Sequence, residues 1–189
     1  ALDLASQNNR AVHILGLLSD GGVHSHQEHI FAALRLAKQK NCDQVYLHVF
    51  TDGRDTPPNS ASKYIEELES KISEINVGRI VSVVGRFYAM DRDNRWERVS
   101  KAYDLITGHK AERASHSARE AIQEAYNLGE NDEFIAPTSI GESVKINQDD
   151  LVIFMNYRAD RAREITLALS SSGFDEFVRN RFVECNFIC

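Results

Sequence analysis

The chain has 189 residues, of which 42% are hydrophobic and 26% charged, as is ordinary for a globular protein. Its formal net charge is −6, which argues against a nucleic-acid partner held by contacts to the phosphate backbone. The positive charge is mostly arginine, 15 Arg against 7 Lys, and the planar fork of arginine suits phosphate and carboxylate groups.

The first half of the chain predicts three strand–loop–helix units. Short apolar runs predict buried strands over Val12–Leu18, from Val45 to about Thr51, and over Arg79–Val84. Apolar residues at helical spacing predict helices over Gln27–Lys40 and Ala61–Ile75. The second of these helices has Asn59 and Ser60 as candidate N-caps. This alternation is typical of a parallel sheet with right-handed crossovers.

The pattern is looser in the second half. Periodicity predicts helices over Trp96–Ile106 and Ala114–Leu128, whereas Phe134–Ile146 is mixed. A further strand over Leu151–Met155 leads into a helix that ends at Leu169, and Phe182–Cys189 is strand-like. We therefore predict one α/β domain over residues 1–189, with a doubly wound, mainly parallel sheet and helices on both faces.

Charged and polar residues follow four of the predicted strands. The carboxyl ends of parallel strands meet at one edge of a sheet, which is where ligands bind in such folds. That edge would carry His24 and His26 together with five arginines: Arg54, Arg86, Arg92, Arg158 and Arg161. Because like charges repel, such an edge needs carboxylates or a bound anion. The sequence thus predicts a site for a small anion with phosphate and carboxylate groups.

Other basic residues are predicted to have no role in binding. Scattered surface positions are expected for six arginines: Arg79, Arg98, Arg113, Arg119, Arg179 and Arg181. Solvent-exposed or structural positions are expected for Arg95 and Arg163.

Simpler interpretations of the same residues stay open. His24 and His26, with Asp20 or Asp52, have the residue types of a zinc or manganese site, although a lone His-x-His is a weak signal. Residues 52–58 are also what an ordinary turn requires.

The remaining features concern location. Cys42, Cys185 and Cys189 show neither metal-ligand spacing nor an even disulfide framework, so a reduced, cytoplasmic protein is expected. No apolar run approaches the ~20 residues of a membrane span, so no membrane partner is expected. The first residue is Ala and the last run stops within a strand-like segment, which suggests a piece of a longer chain.

Four motifs in this order resemble the cofactor-independent (2,3-bisphosphoglycerate-independent) phosphoglycerate mutases. They are LSDGGVHSH at Leu18–His26, TDGRDTPP at Thr51–Pro58, GRFYAMDR at Gly85–Arg92 and NYRADRARE at Asn156–Glu164. The resemblance covers nearly the whole chain. That family has an alkaline-phosphatase-like domain with two metal ions, usually manganese, and a nucleophilic serine, and a substrate-binding domain inserted into it. The chain resembles the inserted domain alone.

The resemblance implies roles for seven residues. Arg86, Arg92, Arg158 and Arg161 match the arginines that hold the phosphate and carboxylate of 3-phosphoglycerate and 2-phosphoglycerate. Arg54 and Asp55 match the pair at the glycerate carboxylate and hydroxyls, with Asp55 a candidate for proton transfer. His24 matches a histidine on the phosphate side, whereas no role is carried over for His26.

The resemblance also implies what this chain lacks. The nucleophilic serine and the residues that bind the two manganese ions would lie outside this chain, in a partner domain of the same protein. The chain alone should therefore bind no metal and should lack mutase activity. The full protein is expected to be a glycolytic and gluconeogenic isomerase and a monomer.

Two alternatives compete with this interpretation. The first is a stand-alone module that binds a phosphorylated metabolite without catalysis. The second is a metal hydrolase that uses His24, His26, Asp20 and Asp52.

Overall fold

A seven-stranded sheet forms the centre of the structure, a computed structural model that describes residues 1–189. Its strands are β1 (Val12–Leu17), β2 (Val45–Thr51), β3 (Arg79–Gly85), β4 (Arg113–Ser115), β5 (Thr138–Ile140), β6 (Leu151–Phe154) and β7 (Asn186–Ile188). In space they follow the order β4-β5-β3-β2-β1-β6-β7. All neighbouring pairs are parallel except β3 and β5, so the predicted mainly parallel sheet is confirmed.

Seven helices connect and flank the strands. They are α1 (Leu2–Gln7), α2 (Gln27–Gln39), α3 (Ala61–Ile75), α4 (Arg86–Ala89), α5 (Trp96–Ile106), α6 (Ala118–Asn127) and α7 (Arg163–Ser170). Short 3-10 turns occupy Asp132–Phe134 and Ala159–Arg161. None of the helices combines the length and the apolar character needed to cross a membrane.

The helices cover both faces of the sheet, as the doubly wound prediction requires. One core joins α2, α3 and α6 to the sheet through residues such as Leu34, Leu68 and Ile122. A second core on the other face joins α5 and α7 through residues such as Tyr103 and Ile165. Strands buried on both faces explain the almost unbroken apolar runs of β1 and β2.

The order in which the chain adds strands to the sheet reverses at β1. The chain moves outward from β1 to β2 and β3, but β6 returns to the opposite side of β1. Such a switch point opens a crevice beyond the strand ends. Here it brings the loop after β1 beside the loop after β6, and the backbone N–H of Tyr157 donates to the carbonyl of His24 at 2.9 Å.

Several boundaries differ from the prediction. The expected helix over Ala114–Leu128 is wrong at its start, because residues 113–115 form β4 and α6 begins only at Ala118, after the Ser117 cap. Helix α1 was not predicted from the sequence, and its residue Ala5 packs into the core. The strand-like C-terminal run is a strand over three residues only, paired with β6.

Candidate functional site

The first element of the site is a buried ion-pair group below the strand ends. Arg86 begins α4 directly after β3 and is only 3% exposed. Its Nη1 donates to Asp52 Oδ1 at 2.7 Å and to Asp55 Oδ2 at 2.6 Å. Although burial opposes its charge, these two carboxylates raise the pKa of Arg86. Arg86 therefore joins the loop after β2 to the loop after β3.

Asp52 is the fixed centre of the loop after β2. Its Oδ1 accepts from the backbone N–H groups of Arg54 and Asp55, and its Oδ2 accepts from Ser19 Oγ at 2.7 Å. Burial would raise the pKa of Asp52, but these donors together with Arg86 outweigh it and hold the pKa below its usual range. This region is thus more than a turn, because the carboxylate is fully occupied and organises its own loop.

His24 lies under the crevice between two aspartates. Its ring is buried, with Nε2 at 3.9 Å from Asp55 Oδ2 and Nδ1 at 3.6 Å from Asp160 Oδ1. Burial, assisted by the positive charge of Arg86, lowers the pKa of His24. A neutral imidazole at this position can donate one hydrogen bond to a neighbour or to a ligand, and its other nitrogen can accept one.

The loop after β6 brings Asp160 beside two of the predicted site arginines, one from each of two loops. Arg92 Nη1 donates to Asp160 Oδ2 at 2.8 Å, and Arg158 Nε lies 3.0 Å from Asp160 Oδ1. Burial alone would raise the pKa of Asp160, but the two guanidinium groups lower it. Arg92 and Arg158 are about half exposed, so they lie at the rim of the crevice and share one carboxylate.

Arg161 differs from the other predicted site arginines because it pairs with no carboxylate. Its Nη1 donates to the carbonyl of Met90 at 3.1 Å. Burial lowers the pKa of Arg161, and the positive charges of Arg92, Arg86 and Arg54 lower it further, with only a small opposing effect of Asp160. Positive charge is therefore in excess around this side chain.

A cleft of about 270 Å³ lies beside Arg86 and Arg161. It is lined by five arginines and three carboxylates: Arg54, Arg86, Arg95, Arg98 and Arg161 with Asp91, Asp93 and Glu133. Phe87 and Phe134 form an aromatic wall, with ring centroids 4.9 Å apart. The cleft can hold a ligand of a few heavy atoms, and its cations suit an anion.

One lining residue corrects the sequence analysis and another agrees with it. Arg98 is predicted at the general surface, whereas Arg95 is predicted to be solvent-exposed or structural and is half exposed and paired with carboxylates. Arg98 instead stacks over the Phe87 ring at 3.8 Å and lies 3.5 Å from Asp91, and Arg95 also pairs with Asp91. Their nearness to Arg92 along the chain was the available signal.

Arg179 and Arg181 are also not scattered surface residues. Both are partly buried and donate to backbone carbonyls, Arg179 to those of Ala168 and Ser171 and Arg181 to that of Ile146. They fasten the C-terminal segment to the domain and lie outside the site.

The segment after α6 supports the cleft, although sequence reasoning did not identify it. Glu133 Oε1 accepts from Arg54 Nη1 at 3.2 Å. The backbone of this turn packs so closely on Gly53 and Gly85 that a side chain at either glycine would collide with Glu133. The close fit of this turn against both glycines, although it lies far from them along the chain, holds Glu133 beside Arg54.

The structure does not assemble the metal site considered for His24, His26, Asp20 and Asp52. His26 Nδ1 instead accepts from the Glu28 N–H at the start of α2, and Asp20 accepts from the Tyr64 hydroxyl. No group of three or more His, Cys, Asp and Glu side chains is arranged to hold a metal ion. The residues present therefore do not fit a metal centre, and the metal-hydrolase alternative is wrong for this geometry.

Of the seven residues with implied roles, Arg54, Arg86 and Arg161 line the cleft. Asp55 pairs with the cleft-lining Arg86, and His24 lies 3.9 Å from Asp55. Arg92 and Arg158 pair with Asp160, which lies 3.6 Å from His24. The structure thus brings all seven to one edge of the sheet, and their roles in binding stay predictions.

Comparisons with known proteins agree with this architecture. A family model described as the BPG-independent PGAM N-terminus matches residues 1–189. Proteins named 2,3-bisphosphoglycerate-independent phosphoglycerate mutase are similar to the chain: that of Vesicomyosocius okutanii is 53% identical over 189 residues, and that of Pseudomonas entomophila is 55% identical over 181 residues. These matches cover 100% and 96% of the chain but only 37% and 35% of the relatives.

A solved structure gives the same result. The chain superposes with a TM-score of 0.91 on a crystal structure of Leishmania mexicana phosphoglycerate mutase at low cobalt concentration, at 30% identity. The match covers 98% of the chain and 36% of that protein. The chain belongs to the family of BPG-independent phosphoglycerate mutase N-terminal domains.

Proposed function

We propose that this chain is the substrate-holding part of a cofactor-independent phosphoglycerate mutase, an isomerase that interconverts 3-phosphoglycerate and 2-phosphoglycerate. The observation that carries the proposal is the uncompensated Arg161 in a cleft lined by other arginines. A phosphate or carboxylate bound there would supply the missing negative charge and accept two parallel hydrogen bonds from a guanidinium.

The roles of the site residues follow from their surroundings. Arg161 and Arg54 line the cleft and bind the anionic groups of the ligand. Arg92 and Arg158 close the rim around Asp160, whereas Arg86 fixes the Asp55 carboxylate in place. Asp55 would then lie beside a glycerate hydroxyl, where its free carboxylate oxygen can accept a proton. His24 would donate a hydrogen bond to the phosphate side of the ligand.

The bond-breaking chemistry belongs to the rest of the parent protein. In this proposal a serine there carries the phosphoryl group as a phosphoserine intermediate, while this chain keeps the glycerate bound. Two manganese ions would act beside that serine. Because no cluster in this chain is arranged for a metal, no step of the chemistry is assigned to a metal here. The 189-residue chain alone is then expected to bind phosphoglycerates without turnover.

Isothermal titration of the chain with 3-phosphoglycerate tests the holding role. Arg161→Ala should weaken binding at least ten-fold, because a charge-assisted hydrogen bond contributes about 1.5–3 kcal/mol. Arg119→Ala is the matched control, since Arg119 is exposed and pairs with Glu66 and Glu69 away from the cleft. Equal affinities of the Arg161 and Arg119 variants would refute the proposal.

A coupled mutase assay tests the division of labour. Turnover of 3-phosphoglycerate by the 189-residue chain would contradict it. In the full-length protein, Arg161→Ala should raise KM and leave a phosphoserine still detectable, because the nucleophile lies elsewhere.

A further inference from the structure

Two loops carry the predicted substrate arginines, and a buried carboxyl group lies between them. One loop, residues 86–95, follows β3 and carries Arg92; the other, residues 156–164, follows β6 and carries Arg161. The group between them is Glu164, which ends the NYRADRARE motif and has no part in the proposed function. It is 8% exposed although it occupies the first turn of α7.

The contacts of Glu164 lead to the opposite loop. Its Oε1 accepts from the backbone N–H of Asn94 at 3.0 Å. Its Oε2 is buried and has no hydrogen-bond donor. The basic groups nearby, Arg95 and Arg98, pair with Asp91 rather than with Glu164. An ionised carboxylate would thus be buried with one oxygen unsatisfied.

Asp91 completes the arrangement. It is 4% exposed, and its Oδ2 accepts from the backbone N–H groups of Asp93 and Arg95, both at 2.9 Å. Its carboxylate is thus stabilised in the ionised form. The Asn94 N–H that donates to Glu164 lies between these two N–H groups along the chain, so the two buried carboxyl groups bind three consecutive backbone amides. Two adjacent buried carboxyl groups share a proton more readily than they both ionise.

We propose that Glu164 is a positioning residue: as a neutral carboxylic acid it donates from Oε2 to Asp91 and accepts from Asn94 at Oε1, and so fastens the Arg92 loop to the Arg161 loop. This inference rests on the proposed function only in naming the ligand that the arginines hold. The same two loops are also joined by Arg161 with Met90 and by Arg92 with Asp160. Burial, together with the negative charges of Asp91 and Asp93, raises the pKa of Glu164, which agrees with a retained proton.

The charged surroundings of Glu164 set the expected pH response. Asp91 and Asp93 face it from the opposite loop, and Arg95 and Arg98 lie behind Asp91. When rising pH removes the Glu164 proton, two carboxylates repel each other across the contact and the loops separate. Glu164→Gln keeps one donor and one acceptor without the titration, so it should preserve the contact at every pH.

The binding experiment compares variants of the 189-residue chain with 3-phosphoglycerate between pH 5 and 9. Glu164→Gln should bind within about three-fold of the unmodified chain at low pH, whereas Glu164→Ala should bind about ten-fold more weakly. The ratio of the two dissociation constants, unmodified over Gln, should rise with pH. The titration of the ligand phosphate and of His24 affects both dissociation constants equally, so it cancels in this ratio. Glu97→Gln, an exposed change of the same charge on α5, is the control.

A second readout does not need the ligand. The ¹³C signal of the Glu164 carboxyl should titrate above the ordinary glutamate value of about 4.3, and the Asn94 amide should exchange slowly in the Gln variant and rapidly in the Ala variant. If no phosphoglycerate binds, the proposed function fails while this readout still decides the inference. A midpoint at or below the ordinary value, or a Gln variant as weak as the Ala variant, would overturn it.

Discussion

A buried polar chain across the sheet makes the stability of the domain sensitive to acid. His13 Nδ1 lies 3.0 Å from His48 Nε2, and His48 Nδ1 lies 2.8 Å from Ser82 Oγ. At the other end, His13 Nε2 lies 3.5 Å from Asp150 Oδ2. Neutral rings satisfy this chain when Ser82 donates to His48 and His48 donates to His13. A second proton on His48 would leave Ser82 without an acceptor.

The sign and size of the effect follow from burial. Burial, assisted by His13, lowers the pKa of His48 well below its usual value of 6.5. The unfolded chain then takes up the proton first, so the free energy of unfolding falls as the pH falls below about 6.5, until the folded-state pKa is reached. One pH unit corresponds to about 1.4 kcal/mol, so a ring that stays neutral to pH 5 costs about 2 kcal/mol there.

Urea unfolding followed by circular dichroism at pH 7, 6 and 5 measures this loss. His48→Gln keeps polar atoms in the chain but does not titrate, so its free energy of unfolding should be lower at pH 7 and should fall less towards pH 5. The pKa of Asp150 is lowered, and its own contribution is lost only below about pH 4, outside this range. His116→Gln, at an exposed position, is the control. Parallel pH slopes for the unmodified chain and His48→Gln would refute the reasoning.

Two further predictions concern the support of the cleft. Asp132 Oδ2 accepts from the backbone N–H groups of Ser60 and Ala61 at 2.8 and 2.9 Å, and Tyr126 donates to Asp132 Oδ1. Because Asp132→Ala removes all three hydrogen bonds, it should lower the free energy of unfolding by about 2–4 kcal/mol. Ser60→Ala should cost less than about 1 kcal/mol in the same urea experiment, and a reversed order would contradict this account. Gly85→Ala should lower the free energy of unfolding by about 1–3 kcal/mol, because the added Cβ would collide with the Glu133 backbone. Gly173 lies in open space, so Gly173→Ala is the control and should change the stability little. Equal melting temperatures for the two variants would count against this prediction.

The sequence was sufficient where structure depends on local periodicity. The predicted helix over Trp96–Ile106 is found with the same bounds, and the strands that begin at Val12, Val45 and Arg79 are found at those residues. Long apolar runs identify these elements because each is buried on a defined face. Strands β4 and β5 have three residues each and depend on a neighbouring strand for their pairing, so no local pattern indicates them.

Caps supplied from a distance were beyond sequence reasoning. Ser60 does precede α3 as expected, but its hydroxyl makes no capping hydrogen bond to the helix, and it donates instead to the carbonyl of Pro57. The carboxylate that receives the first N–H groups belongs to Asp132, 72 residues further along the chain. A cap from another segment satisfies the same amide groups as a local one, and only the folded chain reveals it.

The arginine-rich edge shows why the composition of the site was predictable while the state of each charge was not. The rule that parallel strands end together brings the arginines to one edge. Their pairing depends on carboxylates that the folded chain brings close: Asp52 and Asp55 pair with the buried Arg86, and Asp160 pairs with Arg92 and Arg158. These pairs offset part of the repulsion that the sequence implies. Arg161 has no carboxylate partner and donates to the carbonyl of Met90, so under the proposed function this side chain would gain most from a bound anion.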